Sequence, residues 1–170
     1  MIKIQAQVNG LAVEASIDPR VTLGDFLRDD QDLTGLHLAC EHGVCGACTV
    51  LVDEVPVRAC ITLAAAMDGK SIRTIEGLED DPVTEVVRGA FSEKHGLQCG
   101  FCTPGMVITV RDLLQRGRCQ SKEEIRQQLA GNLCRCTGYG GIVEAAVLAR
   151  DRLADQPADQ PGTLTEGAVK

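Results

Sequence analysis

Apolar and polar positions alternate through Ile2, Ile4, Ala6 and Val8, and again through Leu11, Val13, Ala15 and Ile17, with only Asn9-Gly10 between the two runs. A period of two turns one face of each run toward a core. Asn-Gly supplies the two left-handed residues that a tight hairpin turn needs, so residues 2–8 and 11–17 are predicted to pair as antiparallel strands. Pro19 ends the second strand, and Thr22 with Asp25 can cap a short helix carrying Leu23, Phe26 and Leu27. Further on, residues 49–52 and 55–58 read as two short strands joined through Asp53-Glu54, and residues 72–75 as another.

Beyond Glu79-Asp80-Asp81 the alternation stops and a helical period takes over. Asp81 is an N-cap candidate with Pro82 in the first turn, and Val83, Val86, Val87, Ala90 and Phe91 share one face of a helix that Gly96 is expected to close. Thr103-Pro104 opens a second helix with Val107, Val110, Leu113 and Leu114 inward and Gly117 past its end. Ser121 and Glu124 form a capping box for a third, which stops at Gly131, and a fourth starts near Gly141 with Ile142, Ala146, Val147 and Leu153. Four short helices with short connections read as a small four-helix bundle. The fold class is therefore α+β: a strand-rich domain over residues 1–78, an all-α domain over 79–154, and a Pro- and Gln-containing tail over 155–170 with little to bury.

The cysteines give this scaffold its chemistry. Cys40, Cys45 and Cys48 are spaced C-x4-C-x2-C, and Cys60 follows. That is the plant-type [2Fe-2S] ligand pattern, in which four thiolates surround two irons. Gly43 and Gly46 let the loop wrap closely and turn its amides toward the sulfurs. Cys99 and Cys102 precede the second helix, and Cys134 and Cys136 lie between the third and fourth, so a second group of four sits in the connections of the bundle. Cys99 and Cys102 stand at the positive end of the second helix, where free amides favour negative sulfur. Two groups of four predict two [2Fe-2S] clusters in a ferredoxin-like unit followed by a helical one, and a protein that carries single electrons. The ninth cysteine, Cys119, falls outside both groups and reads as a spare loop thiol.

Other readings fit less well. A zinc ribbon wants two C-x2-C knuckles, whereas Cys99-x2-Cys102 is partnered by Cys134-x-Cys136. A Rieske centre wants two histidine ligands, and with four cysteines at hand His42 reads as a polar loop residue, as His37 and His95 read as ordinary surface or core histidines. No nucleophile–base constellation, G-x-G-x-x-G or phosphate loop occurs, so no catalytic residue is assigned.

Composition sharpens the picture. The 170 residues are 44% hydrophobic but include only three Phe, one Tyr and no Trp, so the cores are aliphatic and bound metal is expected to contribute to folding. Two oxidised centres, at −2 each, deepen the formal charge from −7 to about −11, which disfavours a nucleic-acid partner. No apolar run is long enough for a membrane span, and nine cysteines without a recognisable export signal point to a reducing, cytoplasmic setting.

The segments Gly96-Leu97-Gln98-Cys99-Gly100-Phe101-Cys102-Thr103-Pro104-Gly105-Met106 and Gly131-Asn132-Leu133-Cys134-Arg135-Cys136-Thr137-Gly138-Tyr139, together with the first cysteine loop, carry a resemblance. From about Ile2 to Leu153 the chain resembles the small iron–sulfur subunit of the xanthine oxidase family of molybdenum hydroxylases. The resemblance implies a plant-ferredoxin-like (β-grasp) domain and a four-helix domain. It implies a large partner subunit that binds the molybdopterin cofactor and substrate, a medium subunit that binds FAD, and a dimer of such heterotrimers. Electrons would pass from molybdenum to the centre held by Cys99, Cys102, Cys134 and Cys136, then to the one held by Cys40, Cys45, Cys48 and Cys60, then to FAD. Gln98 matches a glutamine that hydrogen-bonds the pterin; its other reading is a loop residue that caps the second helix. The first loop is more similar to those of bacterial hydroxylases of aromatic or N-heterocyclic compounds than to aerobic carbon monoxide dehydrogenases, which stand as the alternative within the family. A free-standing ferredoxin is the alternative outside it, disfavoured by the second cysteine group and Gln98.

Overall fold

The structure, a computed structural model, describes residues 1–118 and 120–155; Cys119 and all but the first residue of the tail lie outside them. The chain opens with β1 (Ile2–Val8) and β2 (Leu11–Ile17), paired antiparallel from Ile2↔Ile17 to Val8↔Leu11. Asn9 (φ 50°) and Gly10 (φ 81°) both take the left-handed conformation that lets a two-residue turn follow the strand twist, as the Asn-Gly pair predicts. With β3 (Thr49–Val52), β4 (Val55–Arg58) and β5 (Ser71–Arg73) they form one mixed sheet in the order β2-β1-β5-β3-β4, in which only β1 and β5 run parallel. The strand expected over residues 72–75 ends at Arg73 because Asn9 intervenes. Its carboxamide accepts from the Thr74 amide at 2.9 Å and donates to the Thr74 hydroxyl at 2.9 Å, drawing Thr74 out of the ladder.

Thr22 caps α1 (Leu23–Asp25) through the Asp25 amide, at 3.1 Å, but the helix then widens into a π-helix over Phe26–Asp30. The wider turn leads into a loop that Arg28 ties down through the carbonyls of Thr34 and Leu36. Leu23, Phe26 and Leu27 are fully buried with Ile4, Val50 and Ile72 in one apolar core. Burial of each such side chain is worth roughly 1.5–3 kcal/mol, enough to hold a short, irregular helix against the sheet.

Four helices follow: α2 (Pro82–Glu93), α3 (Thr103–Gln115), α4 (Lys122–Gln128) and α5 (Gly140–Ala154). Asp81 and Ser121 cap α2 and α4 through the amides three residues on, at 2.8 and 3.1 Å. The left-handed residue that ends α2 is His95 (φ 51°), not Gly96. Gly96 instead donates its amide back to the Phe91 carbonyl at 2.8 Å and leaves space for the Phe91 ring, which a Cβ there would meet at 3.0 Å. Gly117 (φ 63°) ends α3 as expected. Phe91, Met106, Leu114, Ile125, Ile142 and Leu153 anchor a second, separate core.

Between the two cores α3 lies against β3 and β4 as well as α2, with Leu51, Leu78 and Ile108 buried at the contact. Beside them Arg111, only 2% exposed, donates to Asp81 at 2.8 Å and to Glu54 at 3.1 Å, and Arg73 also reaches both carboxylates. A buried guanidinium needs such partners, because an unpaired charge there would be strongly destabilising. This ion cluster and the apolar strip fix the strand-rich part on α3, and with it the two cysteine groups.

Candidate metal centres

The first group sits on the irregular loop before β3. Glu41 (φ 53°), Gly43 (φ 82°) and Gly46 (φ 74°) bend it sharply, and the Cys45 amide points at Cys40 Sγ from 3.4 Å. The amides of Cys45, His42 and Val44 together hold the Cys40 thiol down at about 6, against an ordinary 9.0. Cys60 arrives from the short 3-10 turn after β4, and its sulfur lies 3.3 Å from that of Cys48, both buried. Burial, and then the Cys48 thiol beside it, push Cys60 up to about 11. His42 bonds through Nδ1 to the Cys40 carbonyl and so braces the loop.

The second group forms where the 96–102 loop, the start of α3 and the 132–139 loop meet. Cys102 is the N-cap of α3 and neighbours Cys134, while Cys99 and Cys136 are a hydrogen-bonded, exposed pair. Burial and Cys134 push Cys102 up to about 12, and Cys99 raises Cys136. The Phe101 amide lowers Cys99. For Cys134 burial is the largest influence and raises it, but the Thr137 hydroxyl 3.1 Å away and the Thr137 and Cys136 amides bring it below the ordinary value. Tyr139 (φ 67°) supports this loop by accepting from the Cys134 amide at 2.9 Å and donating to the Asn132 carbonyl at 3.1 Å.

The eight cysteines among the described residues are free thiols, in two groups of neighbouring sulfurs. Among the described residues no set of three or more His, Cys, Asp or Glu side chains surrounds a single ion position. A [2Fe-2S] centre does not ask for one, since each iron takes two protein thiolates, and close sulfur pairs are what the fold provides. Amides aimed at Cys40 and Cys99 favour thiolate, while burial and then a neighbouring thiol favour the protonated form of Cys60 and Cys102, and the Cys99 thiol that of Cys136, unless a cationic centre balances them. The Thr103 hydroxyl, immediately after Cys102, is buried with no hydrogen-bond partner among the described residues. Such an orphan costs about 1–3 kcal/mol unless a bound group accepts its proton. The donor set and the orphan both fit an anionic iron–sulfur group.

The surroundings of the two groups differ. Val44 and Ile61 are exposed beside the first, and Leu97, Phe101 and Leu133 around the second. Gln98 is exposed next to Cys99. His37, which reads as an ordinary histidine in the sequence, donates from Nδ1 to the Phe101 carbonyl at 2.7 Å and stacks on the Phe101 ring at 4.7 Å. It therefore supports the 99–102 loop from the strand-rich part of the chain. The two groups are also joined directly: the Leu133 amide donates to the Cys45 carbonyl at 2.8 Å, one residue before Cys134.

Comparisons agree with this geometry. Residues 6–74 match the model of the 2Fe-2S iron-sulfur cluster binding domain, and residues 74–147 that of the [2Fe-2S] binding domain. The nicotine 6-hydroxylase small subunit of Paenarthrobacter nicotinovorans is 49% identical over 91% of this chain and 93% of its own. The caffeine dehydrogenase subunit gamma of Pseudomonas sp. (strain CBB1) is 51% identical over 84% of this chain and 87% of its own. Among solved structures, quinoline 2-oxidoreductase from Pseudomonas putida 86 superimposes with a TM-score of 0.82 at 42% identity, covering 88% of this chain and 94% of the matched one. With two [2Fe-2S] domain matches in series and relatives aligned along nearly their whole length, the chain belongs to the small iron–sulfur subunits of the xanthine oxidase family, components of oxidoreductase complexes.

Proposed function

We propose that this chain is the electron-transfer subunit of a molybdenum hydroxylase, seated between a large subunit that binds the molybdopterin cofactor and a medium subunit that binds FAD. Cys40, Cys45, Cys48 and Cys60 hold one [2Fe-2S] cluster in a domain spanning residues 1–78. Cys99, Cys102, Cys134 and Cys136 hold the other in a four-helix domain spanning 79–154. Each centre, when bound, supplies a site that accepts and releases one electron. What the chain itself does is hold the sulfurs still. Gly43 and Gly46 shape the first loop, Tyr139 and Thr137 the second, and the amides at Cys40 and Cys99 favour negative sulfur before and after an electron arrives.

The exposed second group, with Cys99, Cys136 and Gln98 on the surface, faces the molybdopterin subunit, and Gln98 hydrogen-bonds the pterin. The first group faces the flavin subunit. Nicotine, caffeine and quinoline in the relatives' names support an aromatic or N-heterocyclic substrate, bound on the large subunit. The assembly is a dimer of heterotrimers in the cytoplasm; among the described residues no helix is long and apolar enough to cross a membrane.

The observation that carries this reading is two groups of four neighbouring thiols joined through the Leu133–Cys45 hydrogen bond in one rigid contact. Native isolation tests it. The chain is expected to co-purify with molybdenum and flavin, and to bleach reversibly with dithionite. Migration at its own mass with a full complement of iron would instead make it a free ferredoxin.

A further inference from the structure

The buried contact between the two cysteine groups is organised around one side chain that is neither a ligand nor near the surface. Asn132 is 2% exposed. Its Nδ2 donates to the Gly46 carbonyl of the first cysteine loop and to the Gly105 carbonyl at the start of α3, both at 3.3 Å. Its Oδ1 accepts from the Arg58 guanidinium at 3.4 Å and lies 3.2 Å from Thr109 Oγ1, whose single proton goes to the Gly105 carbonyl at 2.8 Å. A carboxamide offers two protons and two lone pairs, and both protons and at least one lone pair are used. Arg58 extends the clamp, donating to the Gly131 carbonyl at 2.7 Å and to Thr49, whose hydroxyl in turn donates to the Gly46 carbonyl at 2.6 Å.

Asn132 thus binds all three segments that carry the ligands at the contact. Gly46 stands between Cys45 and Cys48, Gly105 three residues after Cys102, and Asn132 itself two residues before Cys134. The backbones meet without side chains between them: a Cβ on Gly46 would lie 2.6 Å from the Gly131 carbonyl, and one on Gly105 2.3 Å from that of Gly46. Buried hydrogen bonds of this kind hold the three backbones in one arrangement. The Gly46 carbonyl also accepts from Thr49 and the Gly105 carbonyl from Thr109 Oγ1 at 2.8 Å, but each of those bonds stays within its own segment, whereas Asn132 joins the two.

We propose that Asn132 is the positioning residue that sets the spacing and relative orientation of the two iron–sulfur centres, acting through Gly46 and Gly105 on the loops that hold them. The inference rests on the proposed ligand sets. Its consequence is physical rather than chemical: magnetic interaction between two reduced centres falls with the cube of their separation, and the ease of electron exchange falls faster still.

The test is electron paramagnetic resonance on the full chain, isolated with whatever subunits accompany it and reduced with dithionite. Wild type is expected to show two [2Fe-2S] signals with mutual splitting at low temperature. Asn132→Ala should keep both signals and full iron content while the splitting narrows or is lost, and the Leu133 amide should exchange with deuterium at least tenfold faster. Arg58→Met, which leaves the Asn132 bonds to Gly46 and Gly105 in place, should narrow the splitting less. Val87→Ala, in the α2 core away from the contact, should lower the melting temperature without moving the splitting. Unchanged splitting in Asn132→Ala with both centres loaded would overturn the proposal, as would equal narrowing in Val87→Ala. If Asn132→Ala fails to fold, Arg58→Met decides alone, and an unchanged splitting there counts against the clamp. Absence of two signals in wild type would instead refute the ligand assignment beneath it.

Discussion

Replacing Gly105 by alanine sets two opposed effects against each other within one helix. Alanine is the better helix former, by about 0.8–1 kcal/mol in a helix interior. But a Cβ at Gly105 would stand 2.3 Å from the Gly46 carbonyl oxygen and 3.0 Å from that of Ala47, where ordinary contact begins at 3.4 Å. Both obstacles are backbone, so no rotamer change relieves them, and α3 must part from the first cysteine loop by about 1 Å. Overpacking of that kind costs typically 1–3 kcal/mol, and more where the neighbours cannot yield. The Asn132 bonds to Gly46 and Gly105 stretch as the gap opens, which adds to the loss. The net expectation is destabilisation by about 1–2 kcal/mol, which for a chain of this size lowers the melting temperature by roughly 2–8 °C. Gly89, exposed in the middle of α2 with nothing within 4 Å of its would-be Cβ, is the matched control. Gly89→Ala should gain up to about 1 kcal/mol. Thermal unfolding of the two variants, with iron content measured on each, checks the reasoning. A Gly105→Ala protein as stable as wild type, or stabilised like Gly89→Ala, would show that the close approach of α3 to the cysteine loop is not there.

Three further outcomes follow from named residues. Burial alone would raise the Asp81 carboxyl, but Arg111 and the Thr84 amide and hydroxyl outweigh it and hold it at about 2, against an ordinary 3.8. A carboxyl depressed in the folded state contributes stability above the unfolded value and loses it as pH falls. Asp81 therefore supports the fold fully above about pH 5, and that support disappears between roughly pH 4 and 2. It amounts to at most about 2 kcal/mol, less in high salt, and denaturant unfolding of Asp81→Asn beside wild type should show the gap closing over that range. Cys102→Ser should abolish one paramagnetic signal on reduction and leave the other; simultaneous loss of both would refute the two independent ligand sets. Gln98→Ala should alter the molybdenum signal of the isolated complex without loss of iron, and an unaltered signal would leave the residue a loop position only.

What could be read from the chain beforehand was whatever is local. The Asn9-Gly10 turn, the Asp81 and Ser121 caps and the Gly117 stop each depend on neighbours a few residues away, and each stands where the pattern predicts. The grouping of the cysteines was legible because C-x4-C-x2-C, C-x2-C and C-x-C are short local spacings. The residues that join the halves were not. Arg111 meets Glu54 across 57 positions and Asn132 meets Gly46 across 86, and nothing in the local sequence marks a buried arginine or asparagine as a clamp. His37 is similar, since its partner Phe101 lies 64 residues on. The one visible hint was a glycine with no turn to make: Gly105 sits inside a helix, where glycine is unfavourable unless another backbone needs its space. The π-helix at Phe26–Asp30 and the left-handed His95 were also hidden, because no residue type in either stretch marks them.

Everything proposed for this chain depends on eight cysteine sulfurs binding iron as two separate pairs of ions. Iron, zinc and acid-labile sulfide should be measured together on the chain purified anaerobically from cells in which it is made. The account predicts about four irons and four sulfides per chain, two of each in either group, and no zinc. Stoichiometric zinc, or only half that iron and sulfide, would contradict it.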